Sequence, residues 1–292
     1  METRRIQSVG KGSYSVSLPK EWITHNNLKE KDIVFIENLN NALIIEKKYP
    51  KSDRKSISIE SQKIRNLKEF IRMCYIKGIN NLKISFLTKS EKETSKIKDI
   101  LERFSGYYIS NEDDKTLEIS FIFKEVDISL EKIMKRAVYV INQMPEQLRK
   151  KDFRELGKLE NSVDSLNNLS KKILFACMEN KTYSIDNKVK DVYQMYTYLE
   201  LVRQLERVAD CIFSFMKTDY SIKDLENLEE IISFLDNVIK IKKRDVKELE
   251  NYVFASDNRE IDATLKRLKH LFEGIEDVLD VLEMDNSFFN EK

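Results

Sequence analysis

The chain has 292 residues, with 51 lysines and arginines against 50 aspartates and glutamates, so its formal net charge is +1 at pH 7. Charged residues make up 35% of it and only six glycines and three prolines occur, which indicates long solvent-facing helices and argues against an all-β protein. Near-zero net charge excludes a uniformly basic nucleic-acid binder, and no apolar run approaches the roughly 18–20 residues of a membrane span. We therefore expect a cytoplasmic protein that is not membrane-embedded, with its three cysteines reduced.

The charge and the helix breakers are unevenly distributed along the chain. Residues 1–55 hold 11 basic and 7 acidic side chains, whereas residues 223–292 hold 11 basic and 18 acidic ones. Four of the nine glycines and prolines lie in the first 50 residues. This asymmetry predicts a multidomain α+β protein: a small β domain over 1–50, a small α/β domain over 51–125 and an all-α bundle over 126–292.

The first 50 residues alternate apolar and polar side chains in four short stretches. We predict strands at 5–9, 14–18, 32–36 and 42–46, with a one-turn helix from Lys20 to Asn26 that Pro19 opens. A unit of this size buries too little apolar surface to be secure alone, so we expect a homodimer.

This stretch resembles the SpoVT/AbrB family of swapped-hairpin DNA-binding domains through residues 12–21 (GSYSVSLPKE) and 28–32 (LKEKD). The resemblance covers about 45 residues and implies an interleaved dimer that contacts DNA. Lys31 departs from the family pattern, which usually has Gly there, so either a turn that needs positive φ is strained or Lys31 takes a different turn.

Basic side chains flank the first predicted hairpin and the loop after it. The candidate DNA contacts are Arg4, Arg5, Lys11 and Lys20. They would neutralise phosphates and make the affinity depend on salt, with few residues suited to reading base edges. The alternative interpretation is that these four cations only keep a dimer soluble.

Residues 56–124 alternate between strand and helix patterns. We predict strands at 56–59, 82–87, 107–110 and 116–121, and helices marked by the apolar positions Ile64, Leu67, Ile71 and Cys74 and by Ile97, Ile100, Leu101 and Phe104. A small sheet covered by two helices follows from this order. The stretch contains no glycine-rich phosphate loop and no catalytic triad spacing, so its role is either ligand sensing or that of a structural connector.

From Ser129 onward, apolar residues recur every three or four positions. We predict five helices near 129–148, 151–180, 186–217, 223–254 and 258–285, packed as an antiparallel bundle.

Two of these helices carry carboxylates four residues apart, Glu160 with Asp164 and Glu206 with Asp210. Each pair shares one helix face and borders an apolar stripe, so two antiparallel neighbours would bring four carboxylates together near the bundle seam. A bound cation would compensate their repulsion, and oxygen ligands suit Mg²⁺, Mn²⁺ or Ca²⁺ as well as iron in carboxylate-rich bundles. The same spacing also arises by chance in so charged a chain, so a solvated helix edge is the alternative for either pair.

Val163-Asp164 and the run from Leu199 to Asp210, with its R-x-x-E-R-V-A-D pattern, resemble the paired motifs of the PhoU family over roughly residues 127–217. PhoU proteins are helical-bundle regulators of phosphate uptake that bind metal clusters through these carboxylates. The resemblance therefore implies that Glu160, Asp164, Glu206 and Asp210 hold a divalent or iron-type ion (Mg, Mn, Fe or Zn). The last two predicted helices lack a matching run. An AbrB-like domain joined to a PhoU-like bundle is similar to an archaeal group of phosphate uptake regulators.

Arg203 precedes Glu206 by one helical turn on the same face. It is a candidate salt-bridge partner for Glu206 or Asp164, or a candidate contact for a phosphate near the metal.

Three functions fit the sequence to different degrees. The first is a transcriptional regulator of phosphate transport and homeostasis, in which the N-terminal domain binds DNA and the metal-bearing bundle senses phosphate status. The second is an adaptor that contacts the ATPase of a phosphate ABC transporter or a sensor kinase, with an N-terminal domain that only dimerises. An enzyme is the weakest, because no nucleophile, base and pocket are arranged together, and we expect none.

Overall fold

The computed structural model describes residues 3–10, 12–39, 42–47, 55–122, 129–179, 181–189, 191–239, 256 and 258–283. The chain divides into two compact units, Met1–Asp53 and Arg54–Lys292. The protein is therefore multidomain and of mixed α and β structure, with small hairpins at the N-terminus and a helical C-terminal region. The predicted boundaries near residues 50 and 125 stay predictions, and residues 123–128 lie outside the described part.

The N-terminal unit consists of two hairpins and a short helix, in the predicted order. Its elements are β1 (Gln7–Ser8), β2 (Tyr14–Ser15), α1 (Lys20–His25), β3 (Phe35–Leu39) and β4 (Ala42–Glu46). The pairs β1–β2 and β3–β4 are antiparallel. Gly10 and Gly12 have φ of 83° and 87° with open space where a Cβ would lie, so the first turn needs them for their backbone conformation.

Strand lengths in this unit differ from the sequence prediction. β1 and β2 are two residues each where alternation predicted five, and β3 begins at Phe35 where the prediction began at residue 32. Only Gln7–Ser15 and Ser8–Tyr14 pair in the first hairpin, and Lys29 to Asp32 form a turn. Alternation reports which face a residue occupies, whereas strand bounds depend on pairing.

The turn before β3 contains the strain that the sequence suggested. Lys31 has φ of 75°, a region in which Cβ crowds the backbone of every residue except glycine. The Asp32 N–H donates to the Lys29 carbonyl over 3.1 Å, and the Asp32 carboxylate accepts the Lys29 N–H over 2.7 Å. The turn is thus kept by hydrogen bonds despite its third residue.

The second unit begins with an α/β layer. Its elements are β5 (Lys55–Glu60), a 3₁₀ turn (Ser61–Lys63), α2 (Leu67–Ile76), β6 (Ile79–Ser85), α3 (Glu91–Leu101), β7 (Tyr107–Glu112) and β8 (Thr116–Phe121). The sheet order is β5-β6-β8-β7, with β5 parallel to β6 and the other pairs antiparallel. Alternating inward residues such as Leu82, Ile84 and Leu117 are buried with Ile71 of α2 and Ile97 of α3, as the sequence predicted.

A helical bundle follows. Its helices are α4 (Leu130–Lys150), α5 (Phe153–Glu179), α6 (Lys181–Asp186), α7 (Val192–Phe215), α8 (Ile222–Ile239) and α9 (Arg259–Glu283). α5 packs on α4 and α7, α7 packs on α9, and α8 packs on α4 and α9. The helix predicted over 186–217 corresponds to α7, which begins later, at Val192, because the Asp191 side chain caps it by accepting the Gln194 N–H over 2.8 Å; the short helix α6 was not predicted. The second half of the predicted fourth helix lies outside the described residues.

The α/β layer packs against α5 of the bundle. Lys172 of α5 is 2% exposed, and its ammonium group lies 4.2 Å from the Phe121 ring centroid and 3.3 Å from Asn80 Oδ1. Tyr75 of α2 offers a further contact, with its carbonyl 3.5 Å from the same nitrogen. The layer and the bundle consequently belong to one compact unit.

Among the helices that the structure describes, none is both long enough and apolar enough to cross a membrane.

Replacing Lys31 with Gly should raise the free energy of unfolding of the N-terminal unit by about 1 kcal/mol, because glycine relieves the crowding at positive φ. The single tryptophan, Trp22, lies on α1 and reports on this unit in a urea titration followed by fluorescence. Lys31→Ala is the matched control, since it removes the same charge and keeps the Cβ. Equal stability changes in the two variants would contradict the strain.

Candidate functional site

The four carboxylates predicted as metal ligands lie on two packed helices, α5 and α7. Asp164 is within electrostatic reach of Glu206 and Asp210, and Glu160 is within reach of Asp164 and Asp210. Pairing of Glu160 with Asp210 and of Asp164 with Glu206 requires the two helices to run antiparallel. The structure therefore brings together the four side chains that the sequence placed on separate helices. We call these four residues the carboxylate cluster.

Burial and mutual repulsion both act on the cluster. The pKa values of Glu160, Asp164 and Asp210 are raised, first by burial and then by neighbouring carboxylates. Arg103 and Lys68 of the α/β layer oppose the shift at Glu160 and Asp164, but do not cancel it. Burial is the largest cause at all three groups, so removal from water is what chiefly favours the protonated form of each carboxyl.

Two basic side chains reach the cluster directly. Arg103, in the loop between α3 and β7, places Nη1 3.0 Å from Asp164 Oδ2, with the two side chains 34% and 18% exposed. Lys171 of α5 lies 3.7 Å from Glu206. The sequence analysis predicted neither of these basic residues. Lys171 follows Asp164 by two helical turns, so helix periodicity could have placed it on the same face. Nothing in the local pattern links Arg103 to Asp164, which lies 61 residues away in the chain.

Arg203 does not contact any of the partners that the sequence suggested for it. Its guanidinium lies 3.7 Å from Glu200, and 57% of the side chain is exposed. Gln204 donates to the same Glu200 carboxylate over 2.8 Å. The structure thus assigns Arg203 a surface ion pair, and its contact with a phosphate stays a prediction.

The donor set of the cluster suits a hard cation, since all four groups offer carboxylate oxygens. Across the residues that the structure describes, no three His, Cys, Asp or Glu side chains are arranged to hold an ion as they stand. Arg103 contacts Asp164 through Oδ2, so an ion bound by this carboxylate would lie beside the guanidinium charge. Metal binding by the cluster stays a prediction.

The candidate DNA contacts belong to the N-terminal unit. Arg4 and Arg5 precede β1, Lys20 begins α1, and all three side chains are exposed. Lys11 lies outside the described residues. The basic side chains thus flank the first hairpin and its following loop, as the sequence predicted, while their contact with DNA stays a prediction.

The N-terminal unit has no buried side chain among the residues whose burial the structure describes. Large apolar side chains on both hairpins are exposed instead, among them Ile6, Tyr14, Ile33, Ile36 and Leu43. Two hairpins that leave such side chains in water gain little stability from burial.

The family model described as antidote-toxin recognition MazE, bacterial antitoxin, matches residues 7–55. This match supports the AbrB-like assignment of the N-terminal domain. No curated protein matches the chain, and no solved structure does. The PhoU resemblance of the bundle stays a prediction.

The raised pKa of Glu160 predicts a specific pH dependence. The folded unit binds that proton more tightly than the unfolded chain, so its contribution to stability is complete in acid and is lost as the pH rises through the folded-state pKa. In chelator-containing buffer at pH 7, Glu160→Gln should stabilise the unit by about 0.2–0.5 kcal/mol, because it removes repulsion between residues four apart on a helix. Thermal unfolding followed by circular dichroism measures this gain, which should shrink toward about pH 4.

Glu155→Gln is the control on the same helix. Its carboxylate pairs with Lys158 over 2.7 Å, so its loss should bring no gain at pH 7. Stabilisation of equal size in both variants would show that the cluster is not a site of repulsion.

Proposed function

We propose that this protein is a homodimeric, DNA-binding and metal-binding regulator of phosphate uptake that controls the transcription of phosphate-transport genes. The observation that carries the DNA-binding part is the match of residues 7–55 to an antitoxin family model, at a unit whose exposed cations flank a hairpin. The phosphate part is supported by the likeness of α5 and α7 to PhoU motifs and by the gathering of their carboxylates.

Dimerisation is supported by the apolar surface of the N-terminal unit. Ile33 and Ile36 are 77% and 64% exposed on a unit that has no buried side chain among those described. Burial of each such side chain contributes about 1.5–3 kcal/mol, which a second copy would supply by covering this face. An interleaved arrangement of the two copies, as the AbrB resemblance implies, places both hairpins in one core.

DNA binding is supported by the position of the basic side chains rather than by the total charge. Dimerisation doubles the set of cations beside the first hairpin, and cations that neutralise phosphates release condensed counterions. Few of these side chains suit base-edge readout, so contacts to phosphates supply most of the affinity.

Metal binding is the proposed input at the bundle. The carboxylate cluster gathers oxygen donors on two packed helices, and such donors would suit Mg, Mn, Fe or Zn. A ligand that binds one conformation more tightly shifts the population toward it, which is how the bundle would act on the N-terminal domain.

The apolar face predicts that Ile33→Asp abolishes the dimer, because a carboxylate would be buried in the interface. Sedimentation velocity at micromolar protein measures the change in mass. Ile222→Asp is the matched control, since Ile222 is 70% exposed, much like Ile33, but belongs to the second unit. A dimer that survives Ile33→Asp, or that is lost equally in both variants, would contradict this interface.

Retention of duplex DNA from upstream of phosphate-transport genes should fall steeply with salt. Replacing Arg5 or Lys20 with Gln should lower the slope of log affinity against log salt by about one for each phosphate that is no longer neutralised. Lys77→Gln, at an exposed position of the α/β layer, should leave the slope unchanged. A dimer that retains no DNA even at low salt would refute this function and favour the adaptor, which a pull-down recovering a transporter ATPase or sensor kinase would identify.

A further inference from the structure

The loop between α3 and β7 docks on α5 beside the carboxylate cluster. The Ser105 N–H donates to Ser165 Oγ over 3.2 Å, and the two serine hydroxyls lie 2.7 Å apart. Asn168 donates to the Arg103 carbonyl over 3.4 Å, and the Tyr75 hydroxyl donates to the Ser105 carbonyl over 2.8 Å. These contacts fix the backbone at the Arg103 carbonyl and at Ser105, so the Arg103 side chain is presented to the cluster from a defined position.

Arg103 pairs with a carboxylate that has acidic neighbours on both α5 and α7. Asp164 is repelled by Glu206 and Asp210, and its presence in turn raises the pKa of Glu160. The distance of 3.0 Å to Arg103 is close to that of a charge-assisted hydrogen bond, and the pair is partly shielded from water. The guanidinium thus supplies a positive charge at one side of the cluster, as a bound metal ion would.

We propose that Arg103 is an internal cation that competes with divalent metal ions for Asp164, so that ion binding at the carboxylate cluster and docking of the α3–β7 loop oppose each other. This inference rests on the proposed metal binding. The α/β layer, whose role the sequence left open, would then respond to whether an ion is bound at the carboxylate cluster of the bundle.

The competition follows from charge and from geometry. Arg103 occupies Oδ2 of Asp164, so an ion bound by that oxygen would displace the guanidinium and an ion bound by the other oxygen would lie beside it, where two positive charges repel each other. The coupling is reciprocal: the factor by which docked Arg103 lowers the affinity for the ion is also the factor by which the bound ion weakens docking of the loop.

Release of Arg103 leaves the rest of the interface in place. Lys172 enters the α/β layer beyond the loop, where it contacts Phe121, Asn80 and the Tyr75 carbonyl. The response to an ion is therefore confined to the loop, and a variant at Arg103 keeps the two layers attached.

The test is a calorimetric titration of the chelator-treated full-length protein with MnCl₂. Arg103→Met should bind Mn²⁺ about fivefold more tightly than the wild type, or more, because the competing charge is gone. Arg103→Lys keeps the charge without the planar fork and should fall between them. Asp164→Asn should weaken binding, and Arg259→Met, which removes the same charge from an exposed position on α9, should match the wild type.

A second readout follows the loop directly. Hydrogen exchange of the peptide containing Ser105 should accelerate when Mn²⁺ is added to the wild type, since the Ser105 N–H is held by Ser165 of the docked helix. In Arg103→Met the exchange of this peptide should no longer respond to Mn²⁺. Circular dichroism of each variant confirms the fold, and Arg103→Lys provides the comparison if the methionine variant is unstable.

Unchanged or weaker Mn²⁺ affinity in Arg103→Met overturns the competition, and so does the lack of saturable Mn²⁺ binding in both the wild type and this variant. Dimer mass and DNA retention are measured on the same preparation without metal. Failure of the titration alongside intact DNA binding would remove this inference and the metal input, while leaving the DNA-binding regulator standing.

Discussion

A buried ammonium group joins the two layers of the second unit. Lys172 rises from the bundle helix α5 into the α/β layer, where an aromatic ring, an amide oxygen and a main-chain carbonyl receive it. Burial of a charge costs free energy unless polar and aromatic groups surround it. The two layers are therefore held in the orientation that keeps these groups around the Lys172 ammonium. The Arg103 loop and the Ser105–Ser165 contacts depend on that orientation, because they lie farther along the same face of α5.

The two units differ in how far their apolar side chains are buried. The second unit has a continuous core that includes Tyr75 and Phe104 of the α/β layer and Tyr198 and Phe215 of the bundle. The N-terminal unit leaves comparable side chains in water among its described residues, although its turns and hydrogen bonds are formed. Local backbone interactions therefore specify the hairpins without burial of these side chains.

Much of the fold could be predicted because the relevant signals are local. Thr116–Phe121 and Ala42–Glu46 have the bounds that alternation predicted, since each pairs along its whole length with a neighbouring strand. The start of α7 was predicted too early, at residue 186, although Asp191 is a good capping residue, and the short helix α6 was missed. Periodicity detects the buried face of a helix better than it detects the ends.

The candidate site was predictable only in part for the same reason. Helix spacing placed Glu160 beside Asp164 and Glu206 beside Asp210, and the antiparallel packing of α5 and α7 brings the pairs together. The approach of Arg103 depends on how a separate layer docks, which no local pattern encodes. Lys31 shows the opposite case, where one departure from a family pattern predicted a strained turn that the backbone then displays.

The exposed apolar side chains among the described residues of the N-terminal unit also bear on how the proposed dimeric regulator would respond to its own abundance. Completion of that unit by a second copy is a bimolecular event, so the population of complete DNA-binding units would follow the square of the monomer concentration when dimers are scarce. A modest rise in synthesis would then give a larger rise in operator occupancy. Dilution in a growing cell that stops producing the protein would dissociate the dimer. DNA binding would then be lost without the release of any ligand.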